Sequence, residues 1–556
     1  MVICVAFPLA EVSWASGLVV AAGVSLPWWG GLRQLTRERA LTYTKGKKVK
    51  VVSAPDPASG TLAALDGEGA ITFGTHESGR PLKVQHRIAH RNALILGASG
   101  AGKSFGVVAI LKALIAAMTQ GQGREVEVVD VKNESVDLLR RIIGGWLLTW
   151  PEDEKEWLRR HVRIFSFSKE RVTPLRPYDN AATAFTNAYA ASFRTSVTTN
   201  AGTAEYTDIT RHERAMLDRV LMELRWPLSY RATVLYTTDV SFQSFLASRV
   251  RDGHLRARLQ SLHSTMTKQT GAALCRRVEE EVADPLIRAA KATPPSALDG
   301  LLPVQEPGLT LSRVGPDQSL QADAAQELAL MRYFDLIASI PTRRGKPPLL
   351  VVAEELAETV ADSPRLVRPV TKMLRLSRSY DVALWALAQD FENAAQRQLA
   401  TAFALGARFI VAYQSIDEAE WLAPHLPSNF EEGASDAERR RAAQVFQREI
   451  EGLPEREFFF YAKGHPVLRC RSLDLADPAS EVGRNNEELE EVFDREIGSR
   501  STITLAKAEE LIAAWEAEVL DRREAPPAPE PKAGSPFTSM DDVYDYFNDD
   551  EGEPDA

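Results

Sequence analysis

Seven short apolar runs punctuate the chain: "ALILG", "EVEVVDV", "VRIFSF", "GLTLSRV", "PLLVVAEE", "VALWALAQ" and "ARFIVAY". Each is rich in β-branched or aromatic residues, and helical patterns separate several of them. Strands covered on both faces read this way, so the series predicts an α/β domain with a mostly parallel sheet. From about 180 to 300 the rhythm breaks. "ERAMLDRVLMELRW" and "SFQSFLASRVRDGHLRARLQSLHSTM" carry helical patterns with little strand signal. They predict an all-helical insertion within the α/β domain. Ahead of the first run, "GAITFGTHESGRPLKV" reads as a small β-rich lead-in.

The two ends have different patterns. From Val12 to Gly31 no residue is charged, a stretch of about 20 residues, just enough to cross a bilayer as a helix. Trp28 and Trp29 stand where an interfacial aromatic pair would stand. Arg33, Arg37, Arg39, Lys45, Lys47, Lys48 and Lys50 follow, with no Lys or Arg before them. That asymmetry predicts a single-pass inner-membrane anchor over 1–32 with everything after it in the cytoplasm. A cleaved signal peptide would carry its positive flank on the other side. A basic juxtamembrane linker spans 33–69. The α/β domain is assigned to 70–179 and 301–480, the insertion to 180–300, and further helices to 481–524. The tail, 525–556, is Pro-rich and then acidic, which predicts disorder. Within it "DDVYDYF" reads equally as a docking peptide or as part of a solubilising tail.

Composition changes this picture little. At 556 residues the chain exceeds one hydrophobic core. Three cysteines, Cys4, Cys275 and Cys470, lie far apart and show no metal spacing, which fits a reducing compartment. Of the net charge of −10, the tail carries −8, which leaves the rest close to −2. A near-neutral body accommodates a local basic surface, so charge neither supports nor excludes a DNA partner.

The candidate chemistry starts at "NALILGASGAGKSFGVV", Asn92 to Val108. Gly97, Gly102, Lys103 and Ser104 satisfy G-x-x-x-x-G-K-[ST], between a strand and a helix as that motif requires. The loop Gly97, Ala98, Ser99, Gly100, Ala101, Gly102 offers backbone N–H groups to phosphates. Lys103 reaches toward the β and γ phosphates, and Ser104 holds Mg²⁺. ATP and Mg²⁺ are therefore the expected cofactors. "PPLLVVAEELAE" supplies Glu354 and Glu355 at a strand end. Glu354 is the expected Mg²⁺-side carboxylate and Glu355 the water-activating one, although acids are also favoured simply at a helix start. "DVALWALAQD" ends in Gln389, an amide placed to sense the γ-phosphate. Before it, "KMLRLSRSY" holds Arg375 and Arg378.

The set "GASGAGKS", "LVVAEELAE" and "RLSRSYDVALWALAQD" resembles the FtsK–HerA superfamily of ring-shaped DNA and protein pumps. Within it the chain is most similar to the TraG/TraD-like coupling proteins of type IV secretion. "VVDVKNESVDLLRR" resembles their "DPKGE" strand, with Asp130, Lys132 and Glu134 in matching places. Val131 replaces Pro and Asn133 replaces Gly, and Asp381 stands where the superfamily commonly has Gly. Coupling proteins commonly have two membrane spans, and here one is found. The resemblance implies a RecA-like P-loop fold and a membrane-tethered homo-hexameric ATPase. It implies that the ring delivers a DNA strand with its relaxase to secretion-channel proteins. It further implies that Arg378, or else Arg375, serves the neighbouring subunit's nucleotide. Arg249, Arg251, Arg256, Arg258, Lys268, Arg276 and Arg277 in the insertion suit sequence-independent phosphate contacts, or equally a solvated helix face. Three other readings stay open: a secretion assembly ATPase, an FtsK-like partitioning translocase, and a non-hydrolysing nucleotide-binding scaffold.

Overall fold

The computed structural model describes residues 57–168, 170–175, 177–178, 180–187, 204–294, 308–316, 320–362, 366–426, 436–523, 537 and 539–548. The expected anchor and residues 33–56 of the basic linker lie outside these residues. Among the described residues no helix is long and apolar enough to cross a membrane.

Eleven strands form one sheet: β1 (Ile71–His76), β2 (Pro81–Val84), β3 (Ala93–Leu96), β4 (Glu125–Asp130), β5 (Val162–Ser166), β6 (Leu309–Arg313), β7 (Leu349–Ala353), β8 (Val382–Ala388), β9 (Phe409–Tyr413), β10 (Glu457–Ala462) and β11 (Leu468–Ser472). Their order is β2-β1-β11-β10-β9-β3-β8-β7-β4-β6-β5. From β9 to β5 every pairing is parallel. These seven parallel strands are the seven apolar runs. In all but the edge strand β5 their residues are almost wholly buried because helices cover both faces, so nothing in those six alternates; in β5 Arg163 is exposed between the buried Val162 and Ile164. Beyond β9 the pairing turns antiparallel. The lead-in strands β1 and β2 are thus the far edge of the main sheet rather than a separate piece. Phe73 on β1 is fixed there by ring contacts to Trp385 and Phe409 at 5.5 Å and to Phe460 at 5.7 Å.

The helices that matter for the site are α1 (Lys103–Thr119), α2 (Glu134–Thr149), α3 (Ala322–Ser339), α4 (Leu356–Asp362) and α5 (Val367–Leu376). Between β5 and β6 lies the helical insertion, with helices Ala204–Leu224, Tyr230–Thr238, Val240–Arg249, Gly253–Thr265, Lys268–Glu281 and Pro285–Ala292. The last five each start where a short polar side chain takes backbone N–H groups of the first turn: Ser229, Asp239, Asp252, Thr267 and Asp284. Such caps satisfy donors that a helix start leaves open, and five in a row set the insertion's corners. Its core, around Leu217, Leu221, Phe242, Leu259 and Leu274, is closed by Trp515, Val519 and Leu520 from the C-terminal helices. Trp226 meets Trp515 edge-on at 5.6 Å.

The tail departs from the expected disorder over part of its length. Helix α6 (Met540–Asn548) forms and buries Val543 and Phe547. These residues stand four apart on one helical face, and acids occupy other faces, so the segment is amphipathic despite its charge. Phe547 stacks on Phe185 at 5.2 Å and meets Phe334 of α3 edge-on at 5.3 Å. The Lys372 ammonium of α5 lies 4.0 Å from the Tyr546 ring centre. The segment "DDVYDYF" thus packs on the chain's own α3 and α5. A single helix of this length is marginal alone, so its order depends on these anchors. Phe547→Ala is expected to raise hydrogen exchange across α6 by about a hundredfold, the Boltzmann factor for losing one buried aromatic anchor of about 3 kcal/mol. The melting temperature of the body should stay the same. Unchanged exchange in α6 would mean that Phe547 is not the anchor.

Candidate functional site

The parallel register brings four strand ends together. Leu96 of β3 pairs with Ala388 of β8, Ala386 of β8 with Ala353 of β7, and Ala353 with Val129 of β4. Just past these ends come Gly97, Gln389, Glu354 with Glu355, and Asp130. Ligands of open α/β sheets bind at this carboxyl edge. The loop from Gly97 turns into α1 through Gly102, whose φ of 91° is a left-handed conformation that suits glycine. Position 106, one turn into α1, also has to be glycine: a Cβ there would lie 2.2 Å from the buried Tyr413 hydroxyl.

Lys103 is buried at the first turn of α1. Its ammonium donates to the Gly97 carbonyl at 3.4 Å, the Ala388 carbonyl at 3.1 Å and Glu355 Oε1 at 3.2 Å. Gln389 Nε2 donates to the same Glu355 oxygen at 2.7 Å. Ser104 Oγ donates to Glu354 Oε2 at 3.2 Å. Lys103, Ser104, Glu354, Glu355 and Gln389, separated by up to 286 residues in sequence, therefore meet at one point.

The two carboxylates have opposite environments. Burial and then the Asp130 carboxylate push Glu354 up to about 8, against the hydrogen bond from Ser135. Burial also acts on Glu355, but Lys103, Gln389 and Lys132 outweigh it and hold its carboxyl below the usual range. Neighbouring acids driven apart in this way divide roles: the ionised one accepts a proton or orients water, and the other awaits a cation. Glu355 has a φ of 49°, a costly conformation for a non-glycine residue and one that clusters at functional sites.

The oxygen set at Glu354 fits a hard divalent cation such as Mg²⁺. Ser104 and Ser135 hydroxyls flank the carboxylate, and Mg²⁺ prefers oxygen ligands of this kind. Ser135, 2.5 Å from Glu354 Oε1, was not legible as a site residue, since a serine in the first turn of α2 carries no motif. Lys132 is the other surprise. Its ammonium lies 3.1 Å from Glu355 Oε1 and 3.2 Å from Glu358 Oε1. Arg456, just before β10, donates its backbone N–H to the Ala101 carbonyl at 3.0 Å, and its guanidinium covers the Phe105 ring at 4.3 Å. It props the outer side of the phosphate loop.

Arg378 falls in the short turn Ser377–Tyr380 before β8, and its side chain lies outside the described residues. Arg375, at the end of α5, is exposed. Both precede β8, whereas Gln389 follows it. The seven residues of β8 put about 20 Å between the two ends. The backbone of both arginines therefore lies at the opposite end of β8 from the site. In the insertion, Arg251, Arg256, Lys268 and Arg276 are exposed, while Arg258 is paired with Glu213.

No known family model matches the chain, and no curated protein matches it. Among solved structures, the bacterial conjugative coupling protein TrwBdeltaN70 is similar at 15% identity with a TM-score of 0.46, over 75% of this chain and 92% of that one. VirB4 of Thermoanaerobacter pseudethanolicus is similar at 14% identity with a TM-score of 0.43, over 74% and 99% of the two chains. The cytoplasmic domain of the Thermomonospora curvata type VII secretion ATPase EccC is similar at 14% identity with a TM-score of 0.29, over 80% and 33%.

Proposed function

We propose that the chain is an ATP-hydrolysing motor of the FtsK–HerA type that acts as the coupling protein of a conjugative or type IV secretion system. The observation that carries the ATPase reading is the convergence on Glu355 Oε1 of Lys103 and Gln389, beside a Glu354 that is paired to Ser104. Bound Mg²⁺, held by Ser104 and Glu354, would neutralise charge on the phosphates. The loop from Gly97 to Ser104 binds and orients the triphosphate, Lys103 compensates its charge, and Glu355 orients the attacking water. Gln389, bonded to Glu355, reports the state of the γ-phosphate.

The far position of Arg378 supports a role in trans, completing a neighbour's site in a homo-hexamer. Exposed arginines of the insertion support sequence-independent contacts to a DNA strand. Residues 1–32 would tether the ring to the inner membrane, with relaxase and channel proteins as partners; loss of sedimentation with membranes on deleting them is the check.

The experiment is turnover of the full chain with and without single- or double-stranded DNA. A DNA stimulation of about tenfold or more, absent in Lys103→Ala, is the expected result, and single-strand preference would fit coupling. Turnover indifferent to DNA would instead favour the assembly ATPase. In the same assay, mixing Arg378→Ala with Glu355→Gln subunits should recover part of the lost activity. No recovery at any ratio would argue against a shared site.

A further inference from the structure

The turn after β4 is built more tightly than a connection needs to be. Asp130 Oδ1 accepts the backbone N–H groups of Lys132 at 2.9 Å and Asn133 at 2.8 Å, and Oδ2 accepts that of Val136 at 2.9 Å. Asn133 sits in the left-handed region with a φ of 69°. Its side chain exchanges two hydrogen bonds with the Gly315 backbone, at 2.8 and 3.1 Å. A Cβ at 315 would lie 2.5 Å from the Val131 carbonyl, so this close approach needs glycine. The backbone of Lys132 is therefore fixed, and its side chain spans from this turn to Glu355 and to Glu358 on α4.

The two oxygens of Glu355 are treated unequally. Oε1 takes Lys103, Lys132 and Gln389. Oε2 is buried, and no group among the described residues bonds it. A water-activating carboxylate needs this arrangement, with one oxygen anchored and one free to accept from water. Yet one anchor is temporary. A P-loop lysine turns to the β and γ phosphates when nucleotide binds, which takes Lys103 away from Oε1. An amide alone would then hold a charged carboxylate. Lys132 has no such competing role: it stands on a different element, partly exposed, and meets two carboxylates.

The geometry points to Lys132 as a positioning residue for hydrolysis: it keeps Glu355 Oε1 anchored when the triphosphate draws Lys103 away, so that Oε2 stays aimed at the attacking water. This deepens the ATPase reading and rests on it. Lys132 acts through Glu355, and a group that fixes a base rather than the substrate should appear in kcat and not in KM.

The test compares Lys132→Met and Lys132→Arg with the wild-type full chain. Turnover is measured against ATP concentration, and affinity by titration with the γ-thio analogue of ATP and Mg²⁺. Lys132→Met should lower kcat by about thirtyfold while KM and the analogue's Kd stay within about threefold. Lys132→Arg, which keeps the charge, should recover most of the loss. Being partly exposed, Lys132 can be replaced without threatening the fold, and an unchanged melting temperature checks that. A Kd that rises in step with the loss of kcat would overturn the inference, because Lys132 would then be a phosphate ligand. Unaltered turnover in Lys132→Met would overturn it too, leaving Lys132 as a surface cation. The underlying reading fails separately, through wild-type turnover that is absent or indifferent to Lys103→Ala.

Discussion

Replacing Lys103 with alanine should abolish turnover, with a loss of at least about a hundredfold, the scale on which a single preorganised charge acts at phosphoryl transfer. The ammonium is buried and satisfied by two carbonyls and Glu355 Oε1. Those partners hold it at the mouth of the loop, where a triphosphate finds it already desolvated and aimed. Alanine removes the charge but not the carboxylate's other donors, since Lys132 and Gln389 still meet Glu355. The fold should therefore survive, and the melting temperature without nucleotide should shift by only a few degrees. The stabilisation that nucleotide and Mg²⁺ give the wild type should largely vanish. Phosphate release and thermal melting, read side by side, check both halves. Turnover within tenfold of wild type would mean that the loop is structural and the site lies elsewhere.

How much of this was legible in the sequence depended on how local each signal was. The seven apolar runs are the seven parallel strands, because burial on both faces, complete in all but the edge strand β5, writes itself into consecutive residues. The phosphate loop, the Glu354–Glu355 pair and Gln389 were legible because each directly follows such a run. The two glycine departures were legible as departures but not as explanations. Asn133 and Asp381 both have positive φ, at 69° and 49°. A positive φ is the conformation that glycine adopts most readily, and Asn and Asp are the other side chains that tolerate it best. Ser135 and Lys132 were not legible as site residues. Their partners lie more than 200 residues away in sequence, and only the strand order β7-β4 brings them together. The antiparallel extension escaped for the same reason, because a pairing such as Thr75 with Arg471 leaves no local mark. Helix α6 was hidden by its acids, since its order comes from the rings of Phe185 and Phe334 on which it packs.

The largest expected effect on stability lies away from the nucleotide. Lys291 ends the insertion's last helix and is fully buried. Its ammonium donates to Glu281 at 2.7 Å, within the insertion, and to Glu327 on α3 of the α/β domain. Glu281 in turn meets Arg214 at 2.6 Å, and Arg214 meets Asp218 at 2.9 Å. The chain of charges ties the insertion to a helix packed on the sheet. Burial pushes the Glu281 carboxyl up, but Arg214 and Lys291 outweigh that and hold it at about 2. Lys291→Met keeps the volume and takes away the cation between two buried carboxylates. Breaking one side of a buried ion pair costs about 3–5 kcal/mol, and that is the expected loss at neutral pH. The pH dependence follows from the depressed carboxyl. Its contribution is complete above the ordinary Glu value of about 4.5 and is lost as pH falls toward 2. The gap between wild type and Lys291→Met should therefore narrow on acidification. Denaturant unfolding at pH 7 and pH 4 checks both size and trend. Adding Glu327→Gln to Lys291→Met should recover part of the loss, because it neutralises the carboxylate that loses this cation. A loss below about 1 kcal/mol, constant with pH, would place the junction's strength in the apolar contacts around these charges instead.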